Sequence, residues 1–227
     1  MRIFASLVLL SSIGLCATAN AQECNDSGFV KAANGYILRT VGAVASDEPV
    51  VQMGAARTCG QWTFDTFASW GPAGSTANEL DFSVFYGTEA GPFTVQFAAS
   101  YYLVNLDDSM LDASDDLIEV YADVSLPLTR GNLTIAPLLR VGELIGVDDL
   151  PSLTMIQPGI RGTFRITDNV TASGEYRASM NLTQDYTTHQ FAGALTWQVS
   201  DRTAIRLGYE TTDRTRDVFS LGANFNF

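Results

Sequence analysis

The chain has 227 residues, with 25 acidic side chains against 13 basic ones, a single histidine and a formal charge of −12 at pH 7. A chain this acidic, whose only lysine is Lys31, has no basic face to offer a phosphate backbone, which excludes nucleic acid as a partner. Apolar residues make up 46% and aromatics 11%, values common to a soluble core and a lipid-facing barrel, so the decision falls to periodicity.

At the amino end, Arg2 precedes an apolar run from Ile3 to Leu15, and Ala19-Asn20-Ala21 follows before Gln22. This is the pattern of a secretory signal, with cleavage expected after Ala21; the run is too short to span a bilayer as a helix. Cys16 invites lipidation, but Leu15 stands where such a site needs a small residue. Removing residues 1–21 leaves 206 as one domain, 22–227, and the loss of Arg2 moves the charge to −13. Beyond Ala21 no apolar stretch approaches the ~18 residues of a membrane helix, so any membrane crossing is made by strands. The two cysteines left, Cys24 and Cys59, form either one disulfide of an exported protein or two separate thiols.

From residue 36 onward the apolar period is two, interrupted by turn-rich connectors. Strands are predicted near 36–45, 49–58, 61–71, 79–87, 92–105, 117–127, 132–142, 153–166, 170–181, 187–199, 203–212 and 217–227. Each approaches the ~9 to 11 residues that a tilted strand needs to cross a bilayer. The predicted fold is all-β: a closed, antiparallel, up-and-down transmembrane β-barrel of about twelve strands. Connectors after even-numbered strands are tight, as at Cys59-Gly60, Glu89-Ala90-Gly91 and Ser200-Asp201-Arg202, whereas those after odd-numbered strands are mostly longer and more acidic. Outer-membrane barrels segregate loops in this way, with short turns in the periplasm.

One face of these strands is apolar and the other carries charge. In 170–181, Val170, Ala172, Tyr176 and Met180 oppose Thr171, Ser173, Glu175, Arg177 and Ser179. Across the chain the polar faces collect Asp65, Asp81, Glu119, Asp123, Arg140, Arg161, Arg165, Glu175, Arg177, Arg206 and Glu210, the candidates to line a pore. Acids dominate the early strands and arginines the later ones, so opposite walls would carry opposite charge; the competing reading is that these charges pair across the lumen and plug it. Trp62 and Trp70 share a face, either as markers of the two membrane interfaces or as core residues. Pro137 and Pro158 fall inside predicted strands, where a bulge or a displaced strand end is expected. The last strand keeps strict alternation to Phe227, and Ser220, Gly222, Phe225 and Phe227 resemble the C-terminal signal that directs barrels to the outer-membrane assembly machinery.

Several segments together, Gly35-Tyr36-Ile37-Leu38-Arg39 with Ser46-Asp47-Glu48-Pro49, Asn78-Glu79-Leu80-Asp81-Phe82 and Asp116-Leu117-Ile118-Glu119-Val120-Tyr121, resemble the TorF-type putative porins of the proteobacterial outer membrane. The resemblance implies a Gram-negative exported barrel with a channel role, surrounded by outer-membrane lipid; it carries over no substrate or site residues. The first functional reading is a channel for small polar or charged solutes, and the second a closed structural or surface-interaction barrel. A hydrolase is disfavoured, because His189 is the only available base and neither a partner serine two residues along its strand nor a Gly-x-Ser-x-Gly elbow is present. No catalytic residue, cofactor or metal site is expected: the loop acids Asp107, Asp108, Asp112, Asp115 and Asp116 lack the central Gly and terminal Glu of an EF-hand. With Asp148 and Asp149 they read as an electronegative mouth. The permeating solute and the oligomeric state are not encoded in any recognisable motif.

Overall fold

The computed structural model of the protein describes residues 23–72, 77–104, 116–147, 151–214 and 217–227. Within them, twelve strands form the wall: β1 Cys24–Ala33, β2 Val50–Cys59, β3 Trp62–Trp70, β4 Glu79–Ala90, β5 Phe93–Leu103, β6 Leu117–Ser125, β7 Leu133–Gly146, β8 Leu153–Arg165, β9 Val170–Asn181, β10 Tyr186–Ser200, β11 Thr203–Thr212 and β12 Val218–Asn226. Each pairs antiparallel with the next in chain order. β12 also pairs with β1, from Ser27↔Asn226 to Ala33↔Ser220, so the sheet closes and has no edge. The protein is thus a closed twelve-stranded antiparallel barrel.

Its hydropathy is inverted relative to a soluble protein. Trp62, Trp70, Phe97, Leu139, Ile160, Leu207 and Phe219 are between 42 and 58% exposed, whereas Gln52, Glu79, Gln157, Ser179 and Thr188 are 1% exposed or less. In water that arrangement would forfeit the apolar surface, worth roughly 25 cal/mol per Å². Against hydrocarbon it is the arrangement of lowest energy, because the closed sheet satisfies its own backbone and alternate side chains meet lipid and lumen. Trp62 and Trp70, near the two ends of β3, both point outward, and Trp62 packs its ring 4.9 Å from that of Tyr86.

Two-residue turns such as Gly60-Gln61 and Asp201-Arg202 cluster at one end. Gly60 takes a φ of 60°, the left-handed conformation that a tight hairpin demands. The connectors at the other end span 34–49, 71–78, 104–116, 147–152, 182–185 and 213–217, so the longest loops share one end, although 126–132 and 166–169 at the turn end are no shorter than 182–185. Most of the loop acids singled out above lie outside the described residues, as do residues 1–22; Asp116 is described, and its carboxylate accepts hydrogen bonds from the Tyr101 hydroxyl at 2.5 Å and the Val104 amide at 3.3 Å.

Two expectations need correction. Residues 36–45 do not form a wall strand: Tyr36–Leu38 and Ala43–Ser46 pair with each other in a separate two-stranded hairpin. The first wall strand is Cys24–Ala33, so the count of twelve stands with a different first member. Neither proline makes a bulge. The Pro137 carbonyl accepts from Leu126, which places its missing donor toward β6, and there β6 breaks at Leu126-Pro127 before a short continuation, Leu128–Arg130, resumes the ladder. Pro158 keeps its place opposite Leu139 in β7, while pairing with β9 skips from Ile156 to Gly159. Each proline therefore faces a local gap in its ladder.

Candidate functional site in the barrel lumen

The register places side chains in rings around the lumen. Lys31 of β1 lies beside Gln52 of β2; Asp65 of β3 beside Ser83 of β4; Asp81 of β4 beside Tyr102 of β5; and Glu119 of β6 beside Ser100 of β5. On the far side Arg140 of β7 faces Asp123 and Gln157, Arg161 of β8 faces Glu175, and Arg177 of β9 faces Gln190. By this alternation Asp65, Asp81, Glu119, Asp123, Arg140, Arg161, Arg165, Glu175, Arg177, Arg206 and Glu210 all occupy inward positions. Arg165 and Arg206 are exposed at the short-turn end and take no part in the ion pairs described next.

The arginine wall is partly compensated by carboxylates. Glu175 accepts from Arg39 at 2.6 Å, from Arg161 at 2.7 Å and from Arg177 at 2.7 Å, and Asp123 is reached by Arg140 at 3.3 Å and Arg177 at 3.6 Å. Arg140 also lies over the Tyr121 ring, 3.7 Å from its centroid. Four arginines thus share two carboxylates, which leaves this wall with excess positive charge.

The opposite wall has no such balance. Asp65, Glu79, Asp81 and Glu119 enter none of the ion pairs among the described residues. The hydroxyls of Tyr36 and Tyr102 donate short hydrogen bonds to Glu79 and Glu119 respectively. Unpaired acids thus lie on β3, β4 and β6, while Asp123, also on β6, joins Glu175 in pairing with arginines.

The inner hairpin crosses between the walls. Tyr36 sits at the acidic side, with its ring 6.1 Å from that of Phe67, and three residues on Arg39 reaches Glu175 of β9. The Thr40 carbonyl accepts from Gln157 Nε2 at 2.7 Å and Ser179 Oγ at 3.1 Å. Gly42, with a φ of 67°, lies so close to Thr188 and Gln190 that a Cβ there would stand 2.7 and 2.9 Å from their side chains. The chain between β1 and β2 is therefore folded into the barrel and tied to three strands across it. Beside it a cavity of about 300 Å³ remains, walled by residues that include Lys31, Arg39, Asp81, Tyr102, Arg140 and Glu210.

Arg39, Glu79, Tyr36 and Tyr102 escaped the sequence reading. Glu79 was within reach of it, two residues before Asp81 on the same period-two face. Arg39 was not, since its segment passed for a wall strand. Cys24 and Cys59, opposite each other in the β1–β2 ladder, are joined in a disulfide. Ser220 and Gly222 face inward and Phe225 and Phe227 outward, and the Phe227 amide donates to the Asp26 carbonyl. His189 points outward, and its Nδ1 is hydrogen-bonded to the Tyr176 hydroxyl at 2.8 Å rather than to a serine.

No family model and no curated protein sequence matches the chain. Solved structures do. The NanC porin is 11% identical, with a TM-score of 0.61 over 88% of this chain and 98% of that one. The KdgM porin is 9% identical, with a TM-score of 0.61 over 90% of this chain and 99% of that one, and KdgM in complex with disordered oligogalacturonate gives a TM-score of 0.60 at the same identity and coverage. The likeness is one of fold: this chain shares the barrel architecture of these structures.

Proposed function

We propose that the protein is a porin-like channel of the bacterial outer membrane, through which small polar or charged solutes diffuse passively along a charge-lined lumen. The observation that carries this reading is the polar interior: a closed barrel wide enough to admit a hairpin still keeps a cavity of about 300 Å³ lined by acidic and basic side chains. An interior built only for stability would be filled with apolar or fully paired side chains. The resemblance to TorF-type putative porins and the shared fold with NanC and KdgM support it. Residues 1–21 would act as the cleaved export signal and the β12 pattern as the address for the assembly machinery, and no catalytic role is assigned to any residue.

One observation favours the alternative, a closed structural or surface-interaction barrel: the hairpin is bonded to the far wall through Arg39 and Thr40, which narrows the passage. Recording from purified protein in planar bilayers separates the two. An open channel gives steps on the order of tens of picosiemens or more, and swelling of proteoliposomes in small sugars; a plugged barrel gives neither despite heat-modifiable migration that shows it folded.

A further inference from the structure

The acidic wall contains a group that the rest of the molecule leaves unfinished. Asp81 is 6% exposed, and its Oδ1 has no hydrogen-bond partner among the described residues. Its electrostatic neighbours are Glu79, Asp65 and Glu119, all of the same sign. The chain's one lysine does not offset them, because Lys31 faces Glu210, Arg206 and Arg39. Keeping a carboxylate ionised without donor or counter-ion costs several kcal/mol, more among like charges, and the cost is removed when the group takes up a proton or a cation. A solute cation that reaches Asp81 displaces that proton and completes the group.

The surroundings indicate which kind of cation. Among the described residues no three carboxylate, histidine or cysteine side chains converge closely enough to hold a metal ion. Aromatic rings instead flank Asp81 in register on both sides, Phe67 on β3 and Tyr102 on β5, and Phe85 and Tyr121 line the same cavity. Rings attract a cation whose charge is spread over N–H and C–H groups, and a carboxylate oxygen takes its hydrogen bond. The cavity of about 300 Å³ has room for a small molecule of that kind.

We propose that Asp81, flanked by Phe67 and Tyr102, forms a lumenal subsite for an organic cation, a solute bearing an amine or guanidine group. The site deepens the channel reading, and rests on it for its place on a permeation path. Glu79 and Glu119, held by Tyr36 and Tyr102, supply the surrounding negative potential without contacting each other's partner. Lys31, Arg39 and Arg140 line other parts of the same cavity, the two arginines paired with Glu175 and Asp123, so a dipolar solute would be oriented with its cationic end toward β4.

The test titrates butane-1,4-diamine into the folded full-length mature protein in detergent by calorimetry, with the dicarboxylate glutarate as the control of opposite charge. Saturable diamine binding is expected, without glutarate binding, and Asp81→Asn weakens it by roughly tenfold or more. Glu119→Gln, at the edge of the subsite, weakens it less, and heat-modifiable migration confirms that both variants are folded. Asn has the shape of a neutral acid, so equal binding by Asp81→Asn and the parent overturns the proposal, as does the absence of saturable binding. Bilayer recording then reads the channel separately. Diamine block of the current, relieved in Asp81→Asn, supports the subsite; current that is insensitive to the diamine overturns it and leaves the channel standing. A silent barrel that still binds the diamine removes the channel and leaves the site.

Discussion

At the scale of the residue, barrel closure depends on how near two backbones can come. Gly222 of β12 pairs with Lys31 of β1, and a Cβ at that glycine would lie 2.6 Å from the Lys31 Cβ and 2.7 Å from the Val30 carbonyl. Neither neighbour is a flexible side-chain end, so the strain would have to be taken up by moving the strands that close the cylinder. Gly222→Val is expected to destabilise the barrel by about 1–3 kcal/mol, the usual range for an overpacked site. The check is the temperature at which the heat-modifiable gel band converts, which should fall relative to the parent. Gly208, where an added Cβ would meet the Ser220 hydroxyl first, should tolerate Ala better, since a hydroxyl can rotate away. Gly222 was legible in the sequence as part of a terminal motif; its packing role was not, because the pairing of β12 with β1 joins residues almost two hundred positions apart.

At the scale of the element, the hairpin at Tyr36–Leu38 and Ala43–Ser46 is what separates this barrel from an empty cylinder. Its ties to the far wall, Arg39 to Glu175 and Thr40 to Gln157 and Ser179, are polar, so replacing residues 35–47 with a short Gly-Ser linker removes the obstruction while giving up only local packing such as Tyr36 on Phe67. Single-channel conductance is expected to rise about twofold or more, following the wider cross-section. A conductance equal to that of the parent would mean that the narrowest point lies elsewhere. This element also marks where sequence reading stopped. Period-two patterning identified eleven wall strands, because lipid outside and water inside impose one alternation on each of them. It failed on the first, since β1 reverses the rule: Phe29 points into the lumen and packs over Gly54, and Asp26 points outward, paired with Arg57 at 2.9 Å. The hairpin segment, with Ile37, Leu38, Val41 and Val44, looked more like a strand than the true strand did, and only three-dimensional packing shows that Ile37 is buried inside the barrel while Val44 stays exposed.

At the scale of the whole molecule, the claim that lipid solvates the outer face makes opposite forecasts for two arginines. Leu139, near the middle of β7, points outward between Val124 and Pro158 and is 45% exposed. In a soluble protein, charge at so exposed a position would be close to neutral, and would improve solubility. In hydrocarbon it costs ~2–4 kcal/mol near the bilayer midplane, less toward the interfaces. Ser173 of β9 points inward, between Thr163 and Ala194 and two residues from Glu175, so an arginine there meets water and a carboxylate. Folding of the two variants into lipid vesicles, followed by urea titration of the barrel band, should therefore place Leu139→Arg well below the parent and Ser173→Arg close to it. Equal stabilities, or a more stable Leu139→Arg, would show that water rather than acyl chains surrounds the cylinder. The contrast holds because both substitutions add the same side chain to the same sheet, and only the medium that each one enters differs.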